Sequence, residues 1–350
     1  MDTTQDTALI VSGGGFGDIW KGKLHSGGKV AIKTWRTNTL EQCDYKTVKR
    51  AARELFLWSQ MKHLNVHQLQ GVIMFRDHCL GMVSEWMENG NLHEYLRKQP
   101  SADRYQLCVH VASGLEYMHK CSTIHGDLKA INVLVSSDGV AKLSDFDFSI
   151  MSGMSSLVFS ESSNSRSGSA RWSAPEILLV ETPVRTTQAD VYALGMTMLE
   201  IFTGQVPYPE CQKEFTISKK VENGTLPDRP WSQLKDEEQG NVMWQLLLDC
   251  WNREPGERPS SGQVADAVAS VSYMQGLTEE DGSFGACGYA LRLDGTFVLD
   301  SIILHTSLHM ISFTGSFKFI VFKFMLHLQD MLDAKRRRTD YSDNIFRRDS

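Results

Sequence analysis

The sequence predicts an α+β fold in two lobes: a small strand-rich N-terminal lobe with one helix, about residues 8–87, and a larger, mainly helical lobe, about residues 88–275. Three observations predict it. Short apolar and β-branched runs broken by glycine turns dominate the first part. Amphipathic stretches of helical period dominate the second. The densest group of chemistry-bearing residues, His125 to Asp145, follows the first long helical stretch.

Residues 8–11 read as a strand leading into Ser12-Gly13-Gly14-Gly15-Phe16-Gly17. Gly28 closes a turn before a second strand pattern, Lys29-Val30-Ala31-Ile32-Lys33. Residues 44–60 read as a helix, with Ala51, Ala52, Leu55 and Trp58 on one face and Lys49, Arg50, Arg53 and Glu54 around it. Strand-like segments follow at 71–75 and 79–85. Asn89-Gly90-Asn91 punctuates before a short helix at 92–98, and a longer one spans about 103–120. Residues 133–135 and 140–143 form a small hairpin around Ser136-Ser137-Asp138-Gly139. The serine-rich stretch 149–173 reads as a loop, and helices are expected near 187–203, 239–251 and 260–275.

Composition narrows the function. With 41% hydrophobic and 22% charged residues, the 350-residue chain fits a soluble globular protein. A formal charge of −6 argues against a generic nucleic-acid binder. The seven cysteines are scattered and form no Cys-x-x-Cys pair, which reads as reduced thiols of a cytoplasmic or nuclear protein. The acidic N-terminus does not resemble a secretory leader. No apolar stretch reaches the roughly eighteen uncharged residues of a transmembrane helix.

The run His125-Gly126-Asp127-Leu128-Lys129-Ala130-Ile131-Asn132, followed by Asp145, suits phosphoryl transfer from a metal-bound nucleotide. Asp127 can orient a hydroxyl and take its proton. Lys129 can neutralise the moving phosphoryl group. The Asn132 amide oxygen and the Asp145 carboxylate are the hard oxygen ligands that Mg²⁺ takes. Any one such pair is common on a protein surface; the order and spacing of the set carry the signal.

Glycines admit close approach of backbone amides to phosphate oxygens. Strand-like residues, not a helix, follow the glycines here, which disfavours a dinucleotide fold. The loop therefore caps phosphates from a β-turn, and Lys33 meets the α- and β-phosphates. Glu54 is the candidate counter-charge for Lys33.

These residues resemble a protein kinase, most closely the tyrosine-kinase-like group of Ser/Thr kinases, over about residues 8–275. The resemblance includes the glycine-rich loop, Val30-Ala31-Ile32-Lys33, Glu54, the catalytic loop, Asp145-Phe146 and Gly168-Ser169-Ala170-Arg171-Trp172-Ser173-Ala174-Pro175-Glu176. It extends to Asp190, which anchors the catalytic loop in that family, and to Arg258, which pairs with the Glu of Ala-Pro-Glu, here Glu176. It implies the bilobal kinase fold, ATP and Mg²⁺ as cofactors, and protein substrates. It implies Asp127 and Lys129 as the catalytic pair and Asn132 and Asp145 as metal ligands. Ser12, Gly14 and Gly17 fall in the phosphate loop, with Lys33 and Glu54 positioning ATP. Ile19, Ala31 and Leu134 would sandwich the adenine. Ser84 falls at the gatekeeper position, with Glu85-Trp86-Met87 as the hinge. Lys129 in the catalytic loop and Ser169 imply Ser/Thr acceptors.

Four positions depart from the family. Gly126 replaces the arginine that precedes the catalytic Asp and pairs with a phosphate on the activation loop, so activity need not depend on loop phosphorylation. Asp147 replaces the Gly after Phe146, where a non-glycine backbone in the left-handed region costs roughly 1–2 kcal/mol. Ser12 replaces the first loop glycine. Trp58 is larger than the family's apolar residue four places after Glu54, and is expected to push that helix and Glu54 out of position. The alternative reading is a pseudokinase, a kinase-shaped scaffold or nucleotide-binding module with little catalysis.

Residues 276–350 form an extension outside the resemblance. His305 and His309 stand four apart but lack an accompanying Glu motif, and read as ordinary side chains. Residues 316–324 have strand-like, aggregation-prone character. Lys335-Arg336-Arg337-Arg338 reads as a solvated charged end, with a nuclear signal as the other reading of an otherwise cytoplasmic protein.

Overall fold

A computed structural model describes residues 8–13, 17–34, 45–76, 79–151 and 169–279. The expectations for the 152–168 stretch, for Gly14, and for the tail beyond residue 279, including His305, His309 and Lys335–Arg338, lie outside the described residues.

The small lobe is a five-stranded antiparallel sheet built from β1 (Leu9–Gly13), β2 (Asp18–Lys23), β3 (Lys29–Thr34), β4 (Leu69–Phe75) and β5 (Cys79–Glu85), in the order β1-β2-β3-β5-β4. One helix, α1 (Tyr45–Gln60), crosses it. Strand alternation assigns the two faces. Val30, Ile32, Phe75 and Val83 gather with Ala8 in a small apolar cluster on one side, joined by Trp20. Leu80 and Met82 join Leu55 and Trp58 of α1 in the main core. Lys33 lies opposite Met82 in the register, so β3 delivers it to the α1 side.

The large lobe begins with α2 (Leu92–Lys98) and α3 (Arg104–Lys120). Their starts are capped by side chains: Asn91 accepts from the Glu94 amide and Asp103 from that of Gln106. Then come β6 (Thr123–Ile124), β7 (Val133–Val135), β8 (Ala141–Leu143) and β9 (Ile150–Met151). The β7–β8 hairpin matches expectation; the β6–β9 pair does not, because two-residue strands carry no periodicity. A short α4 (Pro175–Leu178) precedes α5 (Thr187–Thr203), α6 (Glu214–Glu222), α7 (Glu238–Cys250) and α8 (Ser261–Glu279).

α5 is the spine of this lobe. Residues 190–202 are all buried, as befits a helix apolar on every side. Gly195 makes this possible, since a Cβ there would lie 2.7 Å from the indole nitrogen of Trp251. No helix among the described residues is long and apolar enough to cross a membrane.

Candidate active site

The segment from His125 to Asn132 leaves β6 and enters β7 through a single 3-10 turn, Ala130–Asn132. α5 holds it in place. The Asp190 carboxylate accepts from the backbone N–H of His125 at 2.7 Å and of Gly126 at 2.8 Å, and pairs with His119 at 3.0 Å. Burial alone would raise the Asp190 carboxyl, but bonds from His119 and the loop hold it below the usual range. A second buried carboxylate on α5, Glu200, accepts from the Ala130 amide and the Trp172 indole, each at 3.1 Å.

Within the loop, Asn132 Nδ2 donates to the Asp127 carbonyl at 2.8 Å and to Asp127 Oδ2 at 3.0 Å. Lys129 Nζ reaches the same Oδ2 at 3.1 Å and donates to Ser169 Oγ at 2.8 Å. Both contacts fall on Oδ2, which fixes the orientation of the Asp127 carboxylate. Ser144 bonds the Asn132 carbonyl through its N–H at 2.9 Å and its hydroxyl at 2.8 Å, and so ties the loop to the residue before Asp145.

Lys33 is the charge hub between the lobes. Its ammonium lies 2.6 Å from Glu54, 3.0 Å from Asp145 and 3.5 Å from Asp147. Burial pulls the Lys33 ammonium down, but the charges of Asp145, Glu54 and Asp147 outweigh it and hold it well above the usual lysine range. Glu54 is pushed well up, first by burial and then by the like charges of Asp147 and Asp145, with Lys33 opposing. These three carboxylates lie together, so the side chain at 147 adds a further negative charge beside Glu54 and Asp145.

Two expected defects are absent. Asp147 does not take the left-handed backbone; it lies inside the 3-10 turn Phe146–Phe148, and the positive φ, +63°, belongs to Asp145. Trp58 does not displace α1. Its indole is buried, donates to the His67 carbonyl at 2.6 Å and packs on Phe146 with centroids 5.8 Å apart, while Glu54 stays on Lys33. The pocket under α1 is sized for an indole, which no local pattern discloses. Arg53, read from the sequence as flanking the apolar face of α1, is buried.

The other expected nucleotide contacts are spread along the cleft. Ile19 pairs with Lys33 across β2–β3, and Ala31 with the buried Ser84 across β3–β5. Ser12 is exposed on β1 and Gly17 is buried just before β2. Glu85 ends β5 and pairs with Lys142 at 3.6 Å. Met87 is buried, and its carbonyl accepts from Gly90 at 3.1 Å. Half-buried Leu134, on β7, bridges to Asn91. Hydrogen bonds from Asn89 to the Val135 carbonyl and from Val135 to that of Gly90 bring this strand against the segment between the lobes.

The donor set fits Mg²⁺. Both Asn132 bonds use the amide nitrogen, leaving its oxygen to ligate, and the Asp145 side chain is 36% exposed. Below the loop a small, partly open depression is lined by Asp127, Ser169, Trp172 and Ile177 among others. Arg258 makes a two-pronged ion pair to Glu176, at 2.6 and 2.9 Å. His119 and Glu200, which brace the loop, were not singled out by sequence reasoning. A His or Glu inside an amphipathic helix carries no mark of a buried partner far along the chain.

The comparisons with known proteins agree with this geometry. The sequence profile of the family described as protein tyrosine and serine/threonine kinase matches residues 7–268. The chain is 27% identical over 278 residues to the serine/threonine-protein kinase STY46 of Arabidopsis thaliana, covering 77% of this chain and 45% of that protein. It is 31% identical over 283 residues to the megakaryocyte-associated tyrosine-protein kinase of Rattus norvegicus, covering 79% and 55%. To the tyrosine-protein kinase Btk of Drosophila melanogaster it is 29% identical over 276 residues, covering 76% and 32%. The chain thus spans about half the length of these relatives, or less. A profile match to about three quarters of the sequence, on a two-lobed fold, establishes that this chain belongs to the protein tyrosine and serine/threonine kinase family.

Proposed function

We propose that this chain is an active kinase that transfers the γ-phosphate of ATP to Ser or Thr hydroxyls of protein substrates. The observation that carries the reading is the shared bonding of Lys129 and Asn132 to Oδ2 of Asp127, with Ser169 on the far side of Lys129. In this reading Asp127 accepts the proton of the substrate hydroxyl. The hydroxyl oxygen bonds to the γ-phosphorus, and the bond to the bridging oxygen breaks, releasing ADP. Lys129 offsets charge on the moving phosphoryl group. Lys33, held by Glu54, orients the α- and β-phosphates. Asn132 and Asp145 hold Mg²⁺, which when bound neutralises charge on the phosphates.

Acceptor choice rests on Lys129 and its bond to Ser169, since the relatives include both serine/threonine and tyrosine kinases. The kinase domain is assigned to residues 1–275 and the remainder to an extension. A cytoplasmic site of action is supported by Cys108, Cys121, Cys211 and Cys250, all unpaired thiols.

A γ-phosphate transfer assay with ATP, Mg²⁺ and a generic basic protein tests the reading beside Asp127→Asn. Phosphoserine or phosphothreonine is expected from the wild type, with the variant slower by about 10²–10⁴-fold. Phosphotyrosine alone would overturn the acceptor assignment. Nucleotide binding without transfer would assign a binding module instead.

A further inference from the structure

The turn that carries Asp145 is gripped by an arginine from each side. From α1, Arg53 Nη2 donates to the Asp147 carbonyl at 2.8 Å. From the segment just ahead of α5, Arg185 Nη1 donates to the next carbonyl, Phe148, at 2.9 Å. The Arg185 guanidinium also lies over the Phe148 ring, 5.2 Å from its centroid. A planar guanidinium can stack on a ring and donate in its own plane at once, which an ammonium does less well.

Gly126 makes room for this arrangement. A Cβ at that position would lie 2.9 Å from the Phe148 carbonyl oxygen and 3.1 Å from Arg185 Cδ, and Gly126 has φ +79°. A side chain there would crowd the contact that Arg185 makes. Asp145, with φ +63°, is held in a backbone conformation that L residues rarely adopt and that persists only where neighbours impose it. Ser149 adds a third tie, its hydroxyl bonding to the His125 carbonyl at 3.1 Å.

We infer that Arg53 and Arg185 clamp successive carbonyls of this turn from opposite lobes, and that Arg185 is a positioning residue that sets Asp145 for transfer. The clamp rests on the catalytic reading above only for its effect on rate. Its effect on the turn stands alone.

The test uses the full chain and two variants, Arg185→Ala and Arg185→Lys. Amide hydrogen exchange is followed without nucleotide, and steady-state transfer is followed with Mg²⁺ and ATP. In Arg185→Ala, exchange over residues 146–150 is expected to speed up by about tenfold or more, while α1 and the small-lobe strands keep wild-type protection. The kcat is expected to fall by about tenfold, because a charge-assisted bond is lost, with KM for ATP nearly unchanged. Arg185→Lys is expected to recover part of both effects.

Unchanged exchange at 146–150 would overturn the clamp. Faster exchange throughout the large lobe would show a general packing role and overturn it too. Fast local exchange with wild-type kcat would overturn the positioning role. A wild type that transfers nothing sinks the catalytic reading; local exchange, with the Mg²⁺-dependent part of ADP affinity, then decides the clamp.

Discussion

Trp58 donates its indole N–H to the carbonyl of His67 at 2.6 Å, across the gap between α1 and the loop leading to β4. The same indole packs on Phe146 and lies 5.9 Å from the His67 ring. The residue that reads as an intruder on α1 is therefore its anchor. It joins the helix that carries Glu54 to the residue beside Asp145.

Trp58→Ala removes this anchor. The expected loss of stability is about 3–5 kcal/mol, the range for deleting a large buried aromatic. Transfer should fall with it, because Glu54 loses the support of its helix. Denaturant unfolding with parallel kinetics checks both. A variant with smaller side-chain volume and unchanged activity would show that Trp58 does not set α1.

Asp147→Asn relieves the crowding of carboxylates around Lys33. Glu54 is held above its ordinary range in the fold, so its contribution to stability is present below about pH 4.5 and lost as pH rises through its folded value. Removing the like charge at 147 should therefore stabilise the protein more at pH 8 than at pH 5. Melting temperatures at the two pH values check this, at about 2–4 °C for each kcal/mol gained. Equal shifts at both would mean that Asp147 does not act on Glu54.

His67 sets an opposite dependence on acid. Burial, and then Lys142, lower its imidazole to about 4. The folded protein thus refuses a proton that the unfolded chain accepts near pH 6.5. Stability is full above that value and is lost as pH falls toward 4, by up to about 3 kcal/mol from this group. In His67→Phe the slope of stability between pH 6.5 and 4 should flatten, as read by urea midpoints across that window.

Ser169→Ala removes the acceptor that holds Lys129 away from full attachment to Asp127. A fall in kcat of about tenfold is expected, the size of one charge-assisted bond. Ser169→Thr keeps the hydroxyl and should stay near wild type. Unfolding midpoints should stay within about 0.5 kcal/mol if the effect is on the loop and not on packing.

The sequence by itself determined the lobes, most of the elements and the chemistry-bearing set. Helices at 92–98 and 103–120 were legible because caps and apolar period are local properties of the chain, and the one at 187–203 because its run of helix-compatible apolar residues is too long for a strand. Asp127, Lys129, Asn132, Lys33 and Asp145 were legible because their order and spacing are written in one dimension. Only the tertiary structure decided what Trp58, Asp147, Arg53 and Arg185 do. Whether an indole fits under α1 depends on His67, beyond the end of the helix, and on Phe146, far along the chain. Asp147 adds its charge to Lys33 from more than a hundred residues away. Arg185 meets Phe148 only because α5 brings its leading segment beside Gly126. Packing volume and charge proximity are properties of the folded interior, and no window of sequence contains them.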